Sequence, residues 1–549
     1  MRFFNSTKFY WLACTMLVCV VVGTHVVSLS TVPRGLTYDE IGMAYDAWSI
    51  SKTGHDSYMH SWPVYFLNRG DGMSALYVYA EAAVMAVFGV SVAGMRAPAV
   101  LASFVTLFAG AYIVRSQWPR RRLPLLLYLF LFAVLPYFTV YSRIALDCNL
   151  FLPLSTLLLA TIVFNLRRNV SLWWLSGIVA GITLYSYVLS WIIVPLFLAA
   201  FTGYLLWCRR LTWRQAAALW LPLCLIALPL MGVVAVNFGG LAQFSIGPFT
   251  VPKLVRPRAS EFGFRIQNAG YFFRDLFLRD RLWRYDDPRI TPLQLISIPF
   301  ALLGFGVVFS RGLRAVQRRR MNMFLITDAW MIAYLMLAIF VRGENNHGVL
   351  IHNLNGMFFA VLFSLVAAFV WLFDKLSMRT ALFPGYRRNI PQIFLIAGAV
   401  LYLVLFAWFL QDYFIAQPRL WDNGNYAAND SILQVGPTAD YPFLRDAIKF
   451  VDSRPQEVSS RATHIYYVNM AEDYYFLAKQ VLPAEIVAGK RKYGVIDSYK
   501  NYTFTYQDTY SLDENYIIAD WKGPELAQLR SMGFSSVRRF GKYWVFTNP

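Results

Sequence analysis

Long apolar runs recur along almost the whole chain. A helix needs roughly 20 apolar residues, at about 1.5 Å rise each, to cross a hydrocarbon core of about 30 Å. About eleven runs approach that length, near residues 11–30, 97–114, 124–142, 150–166, 171–187, 190–207, 215–235, 291–309, 323–341, 351–373 and 393–411. Of 549 residues, 57% are hydrophobic and only 15% charged. That is too little charge to cover a soluble surface of this size. Aromatic residues reach 17%, which suits membrane interfaces, where amphipathic rings collect. The pattern predicts a mainly α, polytopic membrane protein. Arg2 and Lys8 precede the first run, from Trp11 to Leu29. It is long for a signal peptide and lacks a clear small-residue cleavage site, so it reads as an uncleaved first span.

The charge pattern orients the chain. The net charge is +19, a balance also found in nucleic-acid binders. Here the basic clusters sit between apolar runs, which excludes that class in favour of membrane topology. Arg115 and Arg120–Arg122 fill one loop, Arg167 and Arg168 a second, and Arg209, Arg210 and Arg214 a third. Arg311, Arg314 and Arg318–Arg320 form a fourth, and Lys375, Arg379, Arg387 and Arg388 a fifth. All five fall on the side of Arg2 and Lys8, which the positive-inside rule makes cytoplasmic. The apolar run 73–92 breaks this alternation if it spans. Glu81 lies at its middle, so it reads as an interfacial or re-entrant helix. Two long loops, 31–96 and 236–290, then face outward.

After about residue 413 the apolar runs shorten. Thr463–Val468, Tyr516–Ala519 and Tyr543–Phe546 look like strands, and Tyr441–Phe450, Glu472–Val481 and Pro524–Met532 like helices. The segment 414–549 therefore reads as a small extracytoplasmic α/β domain following a membrane domain over 1–413. The five cysteines, Cys14, Cys19, Cys148, Cys208 and Cys224, offer no disulfide framework and no zinc spacing.

Three polar constellations fall on the expected outer side. Thr37-Tyr38-Asp39-Glu40 opens the first loop ahead of a helical pattern. A carboxylate at a helix start stays ionised through the free N–H groups and the dipole, and can take a proton from a hydroxyl. It can equally be a plain cap. Tyr141-Ser142-Arg143-Ile144-Ala145-Leu146-Asp147 ends the third span. Arg143 and Asp147 are four apart, so one helix face could carry both, as a site or as a structural ion pair. Arg342-Gly343-Glu344-Asn345-Asn346-His347 and His352-Asn353 lie between two late spans. Arg342, His347 and His352 suit a phosphate, or form an ordinary polar turn.

Tyr38-Asp39-Glu40-Ile41-Gly42-Met43-Ala44-Tyr45-Asp46 after the first span, with Ser142-Arg143-Ile144-Ala145-Leu146-Asp147 later, resembles the GT-C superfamily of polytopic glycosyltransferases. The likeness is to bacterial relatives of protein O-mannosyltransferases and the lipid A aminoarabinose transferase, over about residues 1–410. The resemblance implies a GT-C fold of about 11 spanning helices plus interfacial helices. It also implies an inverting transfer of a sugar from a polyprenyl-phosphate carrier to an envelope glycan, lipid or protein. In those terms Asp39 matches the base, with Glu40 beside it. Asp147 matches the second acid, next to Arg143. Arg342, His347, His352, Asn353, Arg256 and Arg258 become candidates for the phosphate, with Lys253 a weaker one. No cofactor is required, although some relatives use a divalent cation such as Mg or Mn. The late loop departs from the Arg-Tyr pair and following Pro seen in relatives, reading Val349-Leu350-Ile351-His352. The setting implied is a bacterial plasma membrane, with the N-terminus cytoplasmic.

Two other functions fit a polytopic chain. A transporter or lipid flippase predicts charges at the bilayer midplane and repeated broken helices, and neither is visible. An envelope polysaccharide polymerase shares the large outer loops and lacks only the two acid motifs.

Overall fold

The computed structural model describes residues 7–549 except 69, 169–170, 258–269, 271–272, 275, 278–290, 341–350, 382–389, 423–440, 467–470, 487–495, 505–508 and 520–522. Among the described residues, eight helices are long and apolar enough to cross a membrane: Thr7–Val26, Val92–Gln117, Asp147–Arg168, Ser190–Trp207, Trp213–Asn237, Ser297–Gln317, Leu354–Met378 and Ile390–Arg419. Three further expected runs form shorter apolar helices, Leu123–Val134, Trp173–Leu184 and Met323–Leu337. The chain is a multi-pass membrane protein. The run expected over 124–142 is interrupted before Pro136, where Leu135 is extended at φ −79 and ψ 124. A proline disfavours helical geometry in the residue ahead of it. The run over 73–92 becomes the helix Ala75–Phe88, about 21 Å long and short of a full crossing.

The membrane helices pack closely where side chains vanish. A Cβ on Gly177 would fall 2.1 Å from the Leu219 carbonyl oxygen, and one on Gly304 would fall 2.1 Å from that of Ser364. Small residues at such crossings let helix backbones approach where water offers no driving force.

The chain divides into two compact units, and the division is not linear. One comprises Met1–Val27, Ala99–Met231 and Arg258–Leu410; the other comprises Ser28–Pro98, Gly232–Pro257 and Gln411–Pro549. The C-terminal segment shares a unit with the first loop. Helix numbers below are given to α1 (Thr7–Val26), α2 (Tyr38–Thr53), α3 (Ala75–Phe88), α4 (Val92–Gln117), α5 (Trp213–Asn237) and α6 (Ala471–Lys479).

In the second unit, α2 starts at a capping box. Thr37 Oγ1 accepts from the Glu40 N–H at 2.9 Å, and Glu40 Oε2 accepts from the Thr37 N–H at 2.8 Å. Two orphan donors are thereby satisfied. Gly54 ends the helix at φ +73, a left-handed conformation that glycine adopts without penalty. Beyond it, β1 (Tyr65–Asn68) and β2 (Asp71–Ser74) make an antiparallel hairpin with Asn68 opposite Asp71. A second hairpin, β3 (Phe244–Ile246) with β4 (Phe249–Val251), joins the chain ahead of β1. There Thr250 N–H donates to the Ser61 carbonyl and Val64 N–H to the Thr250 carbonyl, both at 3.0 Å.

The C-terminal segment is α/β, as its patterning predicts. Six strands run in the order β6-β7-β5-β8-β10-β9, over Thr463–Tyr466 (β5), Ser498–Tyr499 (β6), Tyr502–Thr503 (β7), Asn515–Ala519 (β8), Ser536–Phe540 (β9) and Tyr543–Thr547 (β10). β5 lies parallel to β7 and β8, and the remaining pairs are antiparallel. The three expected strands match β5, β8 and β10, although residues 467–468 lie outside the described residues. β6, β7 and β9 lack the apolar run that marks the others. The helix α6 docks on α2: Tyr45 Oη donates to the Val481 carbonyl at 2.8 Å, and Tyr474 Oη to that of Leu36 at 3.0 Å.

Candidate active site

Asp39 sits in the first turn of α2 and is half-buried. Asn68 Nδ2, at the end of β1, donates to its Oδ1 at 3.0 Å. The turn after Asn68 also receives Arg256: its N–H donates to the Gly70 carbonyl at 2.8 Å, and its Nε lies 3.6 Å from Asp71 Oδ1. Asp39 and Arg256 are thus both held by the β1–β2 hairpin. The Arg256 side chain is 57% exposed. A carboxylate held by an amide with a cation nearby is an arrangement for taking a proton beside an anion.

Glu40 has a different job from its neighbour. It is fully buried and closes the capping box, and its Oε1 lies 3.2 Å from Arg96 Nε. Arg96 is fully buried too. Its other nitrogens donate to the carbonyls of Leu29, Pro33 and Gly35 at 3.0, 3.0 and 2.7 Å. One guanidinium fork therefore ties the loop after α1 to the start of α2. Such a pair is costly to break, because either partner alone is a buried charge. Glu40, expected as catalytic, closes the capping box and meets Arg96 in this geometry. Arg96 was missed because the expected span begins at residue 97. A lone arginine beside an apolar run is itself a signal.

The Arg143 and Asp147 motif belongs to the other unit. The expected shared helix face does not form. The helix Pro136–Tyr141 ends before Arg143, and Leu146 is extended at φ −133 and ψ 142. Asp147 opens a 3-10 turn, where its Oδ1 accepts from the Cys148 N–H at 2.7 Å. Arg143 is fully buried and donates to the carbonyls of Thr24 and Val27, both at 2.8 Å. These are end carbonyls of α1, which a cation caps well. Asn149 and Asn355, which lie at the ends of two of the polar constellations of the sequence but were given no role there, hold this segment. Asn149 Nδ2 donates to the carbonyls of Tyr141 and Ile144 at 2.8 Å. Asn355 Nδ2 donates to the Cys148 carbonyl at 3.1 Å and to Asn149 Oδ1 at 3.0 Å, while its own Oδ1 accepts from Tyr137. Buried amides that satisfy backbone groups across loops fix them as secondary structure does elsewhere.

The remaining candidates lie outside the described residues: Arg342, His347 and Arg258 wholly, His352 and Asn353 in their side chains. Lys253 is exposed, next to β4.

Acids also cluster behind α2. Glu81 on α3 is fully buried, and neither oxygen has a hydrogen-bond partner among the described residues. Burial, with the charges of Glu40 and Asp46, pushes its carboxyl well above the usual range, so it is held neutral. Nearer the surface, His60 Nδ1 lies 2.9 Å from Asp56 Oδ2. Burial alone would lower its pKa. The hydrogen bond and charge of Asp56, with the charge of Asp46, prevail and raise it.

Fold and site together define a multi-pass membrane protein whose acid-bearing helix follows its first span, with the GT-C fold. The solved structure of ArnT from Cupriavidus metallidurans in the apo state is similar over 99% of this chain and 100% of that one, with TM-score 0.55 and 14% identity. Weaker likenesses are to the same protein bound to undecaprenyl phosphate, at TM-score 0.48, 14% identity and 98% and 99% coverage. Another is to archaeal oligosaccharyltransferase AglB from Archaeoglobus fulgidus in complex with an inhibitory peptide and a dolichol-phosphate, at TM-score 0.44, 12% identity, and 86% and 63% coverage. No family model matches the chain, and no curated protein does.

Proposed function

We propose that the protein is an inverting glycosyltransferase. It moves a sugar from a polyprenyl-phosphate carrier to an envelope glycan, lipid or protein on the outer face of the plasma membrane. The observation that carries this reading is Asp39, oriented by Asn68 in the first turn of the helix that follows span one, within a GT-C fold.

The acceptor hydroxyl gives its proton to Asp39 as its oxygen attacks the anomeric carbon. The bond from that carbon to the phosphate oxygen breaks on the opposite face, which inverts the centre. Polyprenyl phosphate leaves with the bonding pair. Cations and hydrogen-bond donors stabilise the developing charge: Arg256, which bonds to the β1–β2 turn, with Arg258, Arg342, His347, His352 and Asn353 as further candidates. Asp147 serves as the second acid, and Arg143 positions its segment through the end of α1. Among the described residues no group of three His, Cys, Asp or Glu could hold a metal ion. The lipid tail stays in the bilayer throughout, so the site needs only to reach the interface. The N-terminus is cytoplasmic, and the C-terminal sheet faces outward.

Purified protein in liposomes with a panel of polyprenyl-phosphate sugars tests this by mass spectrometry. Loss of one donor with release of polyprenyl phosphate and a singly glycosylated acceptor is expected. Joining of whole repeat units, or movement of labelled lipid across the bilayer without chemistry, would replace this reading with a polymerase or a transporter.

A further inference from the structure

The hairpin β3–β4 leaves a membrane span and runs back along it. Asn237, the last residue of α5, fixes the level of the chain after the hairpin. Its Nδ2 donates to the Pro252 carbonyl at 3.1 Å, and its Oδ1 accepts from the Leu254 N–H at 2.6 Å. The base of the hairpin lies lower. A Cβ on Gly232 would meet Phe244 Cζ at 3.1 Å and Val251 Cγ2 at 3.5 Å. Gly232 is five residues before Asn237, about 7 Å further toward the bilayer centre. From Val251, β4 continues in that direction to Phe249 and the Gly247-Pro248 tip, at about 3.3 Å per residue.

The composition suits this descent. Residues 238–252 carry no charge, whereas Lys253 and Arg256 follow at the level of the helix end. Phe238, Leu241, Ile246 and Phe249 are 50%, 53%, 61% and 51% exposed. An apolar wedge under a row of cations matches acyl chains beneath lipid phosphates. Pairing of β3 with β4, and of Thr250 with Ser61 and Val64, satisfies backbone groups that lipid cannot.

We propose that the β3–β4 hairpin dips into the outer leaflet, is seated there by lipid, and sets the height of Asp39 at the headgroup level. The linkage is short: Val64 bonds Thr250, Tyr65 opens β1, and Asn68 closes it against Asp39. The height assignment rests on the outward orientation and lipid-linked donor proposed above. The seating does not depend on the donor.

Photo-crosslinking of the full chain tests the seating, with Phe249→p-benzoylphenylalanine in liposomes of phosphatidylethanolamine and phosphatidylglycerol. Asp513, exposed in the C-terminal segment, carries the same group as control. Phospholipid adducts at 249 at least tenfold above those at 513 are expected. Equal yields, or a covalent dimer in place of lipid adducts, would overturn the proposal. Neither readout needs a sugar donor, so its failure is distinct from failure of the glycosyl-transfer reading. For the height, Ile246→Asp with Phe249→Asp is expected to slow turnover of bilayer-embedded donor at least fivefold more than turnover in detergent. Equal effects in both would overturn that part.

Discussion

Two buried arginines, one in each unit, do related work with different partners. Arg96 joins three loop carbonyls to the carboxylate of Glu40, which already caps α2. Arg143 donates to two carbonyls at the end of α1. Both fix the chain ahead of a candidate acid, Asp39 in one unit and Asp147 in the other. The pairing with Glu40 puts Asp39 on a frame that one lost charge can collapse. The Asp147 segment is instead distributed over neutral amides, Asn149 and Asn355. A buried guanidinium braces each segment, and neutral amides add to the support of the second.

Substitutions can break that contrast. Arg96→Met is expected to destabilise the protein most, by about 3–5 kcal/mol, because the buried Glu40 carboxylate loses its guanidinium partner. Thermal unfolding in detergent reads this, and adding Glu40→Gln should recover part of the loss; no recovery would mean that the carbonyl bonds dominate. Arg143→Ala should lower the unfolding temperature less and still reduce turnover about tenfold, since an unsatisfied buried polar group costs about 1–3 kcal/mol. A loss as large as that of Arg96→Met would erase the contrast.

Asn68→Ala probes the acid itself. Removing a hydrogen bond to a charged group costs about 1.5 kcal/mol, so turnover should fall about tenfold with the fold intact. The smallest effect belongs to Glu81→Gln. Its folded pKa is raised, so the wild-type contribution is fully present below the unfolded value of about 4.3 and is lost as pH rises through the folded value. The variant should match wild type in unfolding temperature at pH 5 and exceed it at pH 8. A constant difference across that range would show that Glu81 does not titrate there.

The membrane class and the C-terminal α/β pattern were legible because apolar periodicity survives in a single sequence. Asp39 was legible because a capping motif and a candidate base share one signature, Thr37-Tyr38-Asp39-Glu40. The same signature includes Glu40, whose side chain turns back to its own helix start. Arg143 and Asp147 looked like helix neighbours because spacing cannot reveal that a helix stops at Tyr141. Asn68, Arg96 and Asn355 act across long sequence separations, where a lone polar residue carries no local pattern, and Asn149 bonds carbonyls across a break in helix that spacing does not reveal.

The account turns on Asp39 as the base. Donor consumption and polyprenyl phosphate release by wild type and Asp39→Asn in the same liposomes, with unfolding temperatures measured in parallel, tests it most directly. Turnover at least about a hundredfold lower in a variant that unfolds like wild type is the predicted result. Equal consumption by both proteins would contradict it and move the chemistry elsewhere.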